Sequence, residues 1–220
     1  MVPTLANFAD EFVFVSGGQD PAYESVLSSV HKYDIVNDRW TQAPSLSRPR
    51  VGHASCTLND KLYVFCGGVV STNASDEASE PYPDNSIESL NVRALIDRVE
   101  TVTWQVITLK NAQNGVKLTP RFLPVVSSLN TAEIVILGGD SSIEGVNMIL
   151  GDAHIFDTDA LTMEAVSMHE SSLQFQSSSN ISVTCRENQI GALVMDAQGK
   201  LHLISYVKNE DKVQVVKRLV

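Results

Sequence analysis

Nowhere in the 220 residues do about 18 apolar side chains run together, so no membrane-spanning helix is visible. The opening stretch MVPTLANFAD lacks a basic region followed by an apolar segment, so no secretory signal peptide is visible either. Cysteine is scarce. Cys56, Cys66 and Cys185 are odd in number and form no CxxC pair, which suits buried or free thiols in a reducing compartment better than a disulfide framework. Basic residues are outnumbered: 16 Lys and Arg stand against 26 Asp and Glu, a formal net charge of -10. The average field repels phosphate backbones and anionic lipid, which argues against nucleic acid and membrane as partners. These features point to a soluble cytoplasmic protein. Asn73-Ala74-Ser75 and Asn180-Ile181-Ser182 match glycosylation acceptors, but their use needs a secretory route.

Catalytic patterns are missing too. His31, His53, His154, His169 and His202 are dispersed, and no His-Glu-x-x-His, Gly-x-Ser-x-Gly, phosphate loop or zinc cysteine spacing occurs. Asp140-Ser141-Ser142-Ile143-Glu144-Gly145 imitates the first half of a calcium loop, yet position 12 is Gly151 where a bidentate Glu is needed. The expectation is no catalytic residue, no metal and no cofactor.

What the chain does have is repetition. EFVFVSGG (Glu11 to Gly18), KLYVFCGG (Lys61 to Gly68) and EIVILGGD (Glu133 to Asp140) are apolar runs closed by paired glycines. Pro49 to Gly68 lies over Pro120 to Gly139 without a gap, and FADEFVFVSGG lies over LNDKLYVFCGG. At the C-terminus Ile190 to Ser205 lies over Val51 to Cys66, with Ser205-Tyr206 where the glycines should stand. Each copy reads as a hairpin, with Asn59-Asp60, Asn130-Thr131 or Gln198-Gly199 as a two-residue turn. A two-residue turn at Asn59-Asp60 would put Cys66 opposite His53 and not opposite Cys56. Continuous apolar runs imply strands covered on both faces. A second hairpin follows: Tyr33-Asp34 precedes Trp40 as Phe156-Asp157 precedes Met163, whereas Leu90-Asn91 and Trp104 are separated by extra residues. Four strands per unit is the arithmetic of a propeller blade. The expected fold is all-β: about 3.5 to 4 four-stranded antiparallel blades. The approximate repeats are 1–49, 50–119, 120–176 and 177–220.

The glycine pairs (Gly17-Gly18, Gly67-Gly68, Gly138-Gly139), the aromatic-Asp pairs and the tryptophans together resemble the kelch repeat over nearly the whole chain. The competing WD40 class would carry a Trp-Asp dipeptide, which is absent. The resemblance implies a β-propeller segment whose ring, at about six or seven blades in that family, is incomplete here, with missing blades elsewhere or self-association. It also implies a non-catalytic protein-interaction scaffold or adaptor that binds a protein partner through blade loops. Alternatives are a sugar-processing enzyme of the copper-radical oxidase or sialic acid epimerase type on a similar propeller, and an incomplete fragment with no function of its own.

Two groups are candidates for partner contact. The segment 69–86 is a long insertion rich in Ser, Pro and acids, and its Asp76, Glu77, Glu80 and Asp84 could form an adaptable acidic contact. Solvated inert loop is the plain reading for it, and for the Ser-rich stretch Ser171 to Ser182. Arg50 and Arg121 hold one repeat position, with Arg48 nearby, and their planar guanidinium groups suit acidic peptide side chains. The structural alternative is that they bond backbone carbonyls between blades. Tyr33, Trp40, Trp104 and Phe156 read as blade core, and each glycine pair as a place where the backbone leaves the sheet at positive φ.

Overall fold

The computed structural model describes residues 3–20, 22, 25–70, 81–98, 101–110, 116–143, 146–166, 182–186, 189–195, 201–207 and 212–218; for residues 142, 143, 146 and 147 and for every strand after residue 181 only the backbone is described. The first sheet contains β1 (Thr4–Phe8), β2 (Phe12–Ser16), β3 (Val30–Asp34) and β4 (Arg39–Ala43), side by side in that order. A short strand, β5 (Arg50–Val51), precedes the second sheet, which begins with β6 (Ala54–Leu58) and β7 (Lys61–Phe65). The chain then detours through β8 (Gly68–Val69) and β9 (Tyr82–Pro83), which join β5 in a small ladder of order β5-β8-β9. It returns as β10 (Ile87–Asn91), makes one helix, α1 (Val92–Asp97), and closes the second sheet with β11 (Gln105–Ile107). The third sheet is β12 (Val125–Ser128), β13 (Glu133–Ile143), β14 (Val146–Asp157) and β15 (Thr162–Val166); the fourth is β16 (Ser182–Arg186), β17 (Gln189–Met195), β18 (Leu201–Val207) and β19 (Lys212–Arg218). The fold is therefore all-β, with four four-stranded antiparallel sheets of the blade pattern.

Two compact units divide the chain, one of Met1–Ile107 with Pro120–Phe122 and one of Thr108–Thr119 with Leu123–Val220. In the first, the Phe8, Phe12 and Phe14 side of the first sheet forms one core with Leu62, Val64 and Leu90 of the second. Full burial of each such side chain stabilises by about 1.5–3 kcal/mol. In the second unit Ile134, Ile136, Phe156 and Met163 are fully buried. Two of the three runs read as covered strands behave so, Leu62 to Phe65 and Ile134 to Leu137 being buried without a break, whereas β2 alternates, with Val13 and Val15 only half-buried.

The turns shift the repeat by one residue. Leu58 pairs with Lys61 across Asn59-Asp60, both at positive φ (46° and 61°), as a primed two-residue turn requires. Phe8 pairs with Phe12 across three residues, and Leu129 donates its N–H to Glu133 across Asn130, Thr131 and Ala132 (2.7 Å). The two-residue turn expected at Asn130-Thr131 is thus a three-residue one. The gapless alignment holds up to the turn and slips by one after it. Gly17 and Gly18 (φ 54° and 100°) correspond to Gly138 and Gly139 (52° and 108°), but in the second sheet the matching pair is Cys66 and Gly67 (60° and 86°). Hydrogen bonds agree: Gly18 N–H donates to Arg50 O and Gly67 N–H to Arg121 O, each at 2.8 Å. The expectation of positive φ at both Gly67 and Gly68 is corrected, since Gly68 is not among the positive-φ residues.

The fourth copy is displaced by a whole strand. β12 and β16 lie side by side, as β1 and β6 do in the first unit, so β16 and β17 form the leading hairpin. Ile190 to Met195 is therefore a second strand, not a first one, and Ser205-Tyr206 sits inside the third strand, not at a glycine position. Asp140 to Ile143, the calcium-loop mimic, is strand β13 paired with β14; Glu144 and Gly145 lie outside the described residues. Asn73 to Ser75, Asn180, Ser171 to Ile181 and Gln198-Gly199 also lie outside them.

Candidate functional site

After each positive-φ pair the chain continues into a further short ladder. It is the single bridge Gln19 to Val26 in the first sheet, the rungs Gly68 to Pro83 and Val69 to Tyr82 in the second, and five rungs from Gly139 to Ile143 in the third. The acidic insertion thus has an ordered base. Val69 is fully buried, and only residues 71–80, which include Asp76, Glu77 and Glu80, lie outside the described residues.

Arg50 clamps that base. Its side chain is completely buried: Nε donates to Glu88 Oε1 (2.7 Å), Nη1 to Cys66 O (2.8 Å) and Asp84 Oδ2 (3.1 Å), and Nη2 to Ser86 Oγ (2.6 Å). Glu88 is also fully buried, and its second oxygen accepts from the Ser47 N–H (3.0 Å). A guanidinium satisfied in this way ties the strand end at Cys66 to the returning segment 84–88. Burial alone would push the Asp84 carboxyl up. The Ser86 hydroxyl bond and the charges of Arg50 and Arg48 outweigh that and hold it below the usual carboxylate range. Arg121 N–H donates to Asp84 O (3.1 Å), just as Arg50 N–H donates to Leu27 O (3.0 Å), and the Arg121 side chain is equally buried. Arg50 and Arg121, read as candidates either for partner contact or for bonds to backbone carbonyls, therefore face the interior, and Arg50 does bond a backbone carbonyl. Arg48, whose side chain is 38% exposed, is the guanidinium of the three that reaches solvent, 3.9 Å from Asp84.

His53 fills the space that glycine leaves. A Cβ on Gly67 would stand 2.7–2.8 Å from the His53 backbone and Cβ, and one on Gly17 would stand 2.7 Å from its ring. His53 Nε2 is 2.8 Å from Thr4 Oγ1 and 3.0 Å from Ser16 Oγ, while Nδ1 is buried with no hydrogen-bond partner among the described residues. Burial, helped by the Arg50 charge, pushes the imidazole down to about 3, so it is neutral at ordinary pH. Ser16 and His53 have the spacing of a nucleophile and its base, but exposures of 1% and 2% seal both from any substrate. A polar cleft of about 410 Å³ lies elsewhere on the second sheet, lined by Lys61, Ser89, Asn91, Thr101, Thr103 and Gln105. Among the described residues no group of three His, Cys, Asp or Glu side chains could hold a metal ion.

The repeat markers prove to be turn and core positions, with one exception. Asp34 accepts the Asn37 N–H (2.9 Å) and Asp157 those of Asp159 and Ala160 (2.9 and 2.7 Å), so each fixes the turn after its third strand. Phe156 is fully buried, and Trp104 packs on the core while its indole N–H donates to Pro44 O (2.8 Å). Trp40 departs from the expected core placement: it is 55% exposed and stacks on half-buried Tyr33 at 4.9 Å, because their face of the first sheet points away from the Phe8, Phe12 and Phe14 side. The buried partners of Arg50 were not foreseen. They lie 16 to 38 residues away in sequence, and no local pattern marks them.

A family model described as the kelch motif matches residues 10–47, which cover the first sheet from its leading turn onward. Over 138 residues the chain is 27% identical to acyl-CoA-binding domain-containing protein 5 of Arabidopsis thaliana, covering 61% of this chain and 18% of the plant protein. It is 35% identical over 75 residues to kelch repeat and BTB domain-containing protein 1 of horsepox virus (33% of this chain, 13% of the viral protein). With human kelch-like protein 15 it shares 27% over 97 residues (43% of this chain, 15% of the human protein). The matched stretches thus span less than a fifth of each of these relatives. Residues 10–47 match the kelch motif, and the four blade-type sheets with their recurring positive-φ pairs are consistent with a kelch-type propeller segment.

Proposed function

We propose that the chain is a non-catalytic protein-interaction module that engages a protein partner through blade loops, chiefly the acidic insertion. The observation that carries this is the clamped base: a fully buried Arg50, held by Glu88, Asp84, Ser86 and the Cys66 carbonyl, anchors both ends of a segment whose middle is long and acidic. A rigid base with a variable polar crown is how loop-borne recognition is built on repeat scaffolds. Asp76, Glu77 and Glu80 suit a partner with basic side chains, with Arg48 and Asp84 at the rim. Arg50 and Arg121 act indirectly, by holding the base. A cytoplasmic setting is part of the proposal, in keeping with three cysteines that form no even set and no CxxC pair.

The test is affinity capture with the full chain and with a variant lacking 71–80. The deletion must spare Val69, Asp84 and Ser86, which belong to the clamp. The expected result is loss of captured partners with an unchanged melting temperature. An unchanged set of partners would remove the loop from the interaction.

A further inference from the structure

Residues 35–38 link β3 to β4 and residues 158–161 link β14 to β15, whereas residues 92–104, with α1 among them, link β10 to β11. This longer connection walls one side of the cleft of about 410 Å³ with Thr101, Val102 and Thr103. The floor is sheet. Asn91 pairs with Lys61 and Ser89 with Gln105, so the alternation of a strand puts all four side chains on the same face. Toward the other end that face is apolar, with Tyr63, Phe65 and Ile87 buried.

The polar groups of the cleft are unspent. Among the described residues no side-chain hydrogen bond or ion pair engages Lys61, Ser89, Thr101, Thr103 or Gln105. Asn91 Oδ1 accepts the Ala94 N–H (2.9 Å), which leaves the amide N–H groups of Asn91 as donors. Ser89 is the most informative: it is only 7% exposed, yet its hydroxyl has no protein partner and opens on the cleft. Buried hydroxyls are nearly always paired, so the partner of this one enters from the cleft. Lys61 is unusual in a chain whose acids outnumber its bases by 26 to 16. Asp60 beside it is taken up by Arg93 (3.4 Å), and no described carboxylate lines the cleft.

We propose that this cleft binds a small phosphorylated, hydroxyl-rich molecule of the sugar phosphate class. The Lys61 ammonium meets the phosphate as a point charge, and the Ser89, Thr101 and Thr103 hydroxyls and the Asn91 and Gln105 amides bond the remaining oxygens. Hydroxyls and amides both donate and accept, and Val102 is the single apolar residue of the described lining, so the ligand is polar throughout. The volume lies within the about 300–1,000 Å³ of small-molecule sites and exceeds what a lone phosphate fills. Acids elsewhere on the chain weaken binding little, because exposed charges more than about 8 Å apart are screened at physiological salt. The cleft lies at the Lys61 end of β7 and the Arg50 clamp at the Cys66 end, so the site is separate from the loop-borne interaction.

Titration of the isotope-labelled full chain with glucose 6-phosphate, glucose and inorganic phosphate, followed by backbone amide resonances, tests the site residue by residue. The ester should shift Ser89, Asn91, Thr103 and Gln105 saturably, with a dissociation constant below about 1 mM, and glucose should bind at least about tenfold more weakly. Lys61→Gln, at an exposed position, should weaken the ester by about tenfold and leave glucose unchanged, whereas Lys61→Arg should keep most of the affinity. Ser89→Ala should weaken both. The proposal is overturned by the absence of saturable shifts up to about 10 mM, by shifts confined to residues outside the cleft, or by equal affinity for glucose and its ester. Undiminished binding to Lys61→Gln overturns it too, as does inorganic phosphate binding as tightly as the ester, which would leave the hydroxyl-bonding groups without a role. If Lys61→Gln fails to fold by circular dichroism, Thr103→Val, also at an exposed position, takes its place, and unchanged affinity for the ester in that variant overturns the proposal.

Discussion

Arg50 and Glu88 are both fully buried and 2.7 Å apart, so each neutralises a charge that water cannot reach. Arg50→Ala should lose about 3–5 kcal/mol in urea denaturation, because Glu88 stays behind without its counter-ion. Arg50→Met with Glu88→Gln should recover most of that loss, since the pair and not the charge is what the fold requires; a single variant within about 1 kcal/mol of wild type would refute the clamp. His53 makes a separate prediction. Its folded value, about 3, lies below the ordinary 6.5, so the unfolded chain takes up the proton first. Its contribution is complete above about pH 6.5 and declines as pH falls toward about 3, with a slope of up to roughly 1.4 kcal/mol per pH unit. Between about pH 6.5 and 4.5, above the ordinary carboxylate range, His53→Gln should flatten the dependence of melting temperature on pH. Equal slopes in wild type and variant would show that His53 is not the buried neutral base described.

At the scale of elements, the slip between repeats separates conformation from space. Cys66 occupies the left-handed position that glycine holds in the first and third sheets, whereas Gly67 combines φ of 86° with the His53 backbone within 2.8 Å of any Cβ. Cys66→Gly should therefore change stability by less than about 1 kcal/mol, as strain relief offsets a small lost contact. Gly67→Ala should cost more than about 2 kcal/mol in the same thermal melts. Gly68 is glycine for a third reason: a Cβ there would collide with the Phe122 ring, so Gly68→Ala should be partly rescued by Phe122→Ala. The hairpins were legible because an apolar run, a polar turn and a glycine pair recur. The one-residue offset was hidden because Gly67-Gly68 imitates Gly138-Gly139 in sequence while only Gly67 matches in conformation. The helix α1 was not legible. Six residues are too few to form a helix alone, and this one depends on the Asn91 cap to Ala94 N–H, on Arg98 at φ 54° and on the burial of Val92.

For the molecule as a whole, the recurrence of apolar runs and turn residues revealed how many sheets there are, and burial reveals which of them are insulated. The clamp was not legible, because Arg50 meets Glu88 only after the whole 69–86 detour has folded back. Stability should follow the same gradient. β7 and the first half of β13 are central strands buried on both faces, while β4 is an edge strand with Arg39, Trp40 and Gln42 exposed and only Ala43 buried. Native-state hydrogen exchange at low protein concentration should show the amides of Leu62 to Phe65 and Ile134 to Leu137 opening only near the global unfolding free energy. Those of β4 should open several kcal/mol earlier. Equal protection of β4 and β7 would contradict the gradient, because β4 buries only Ala43 while β7 buries Leu62 to Phe65.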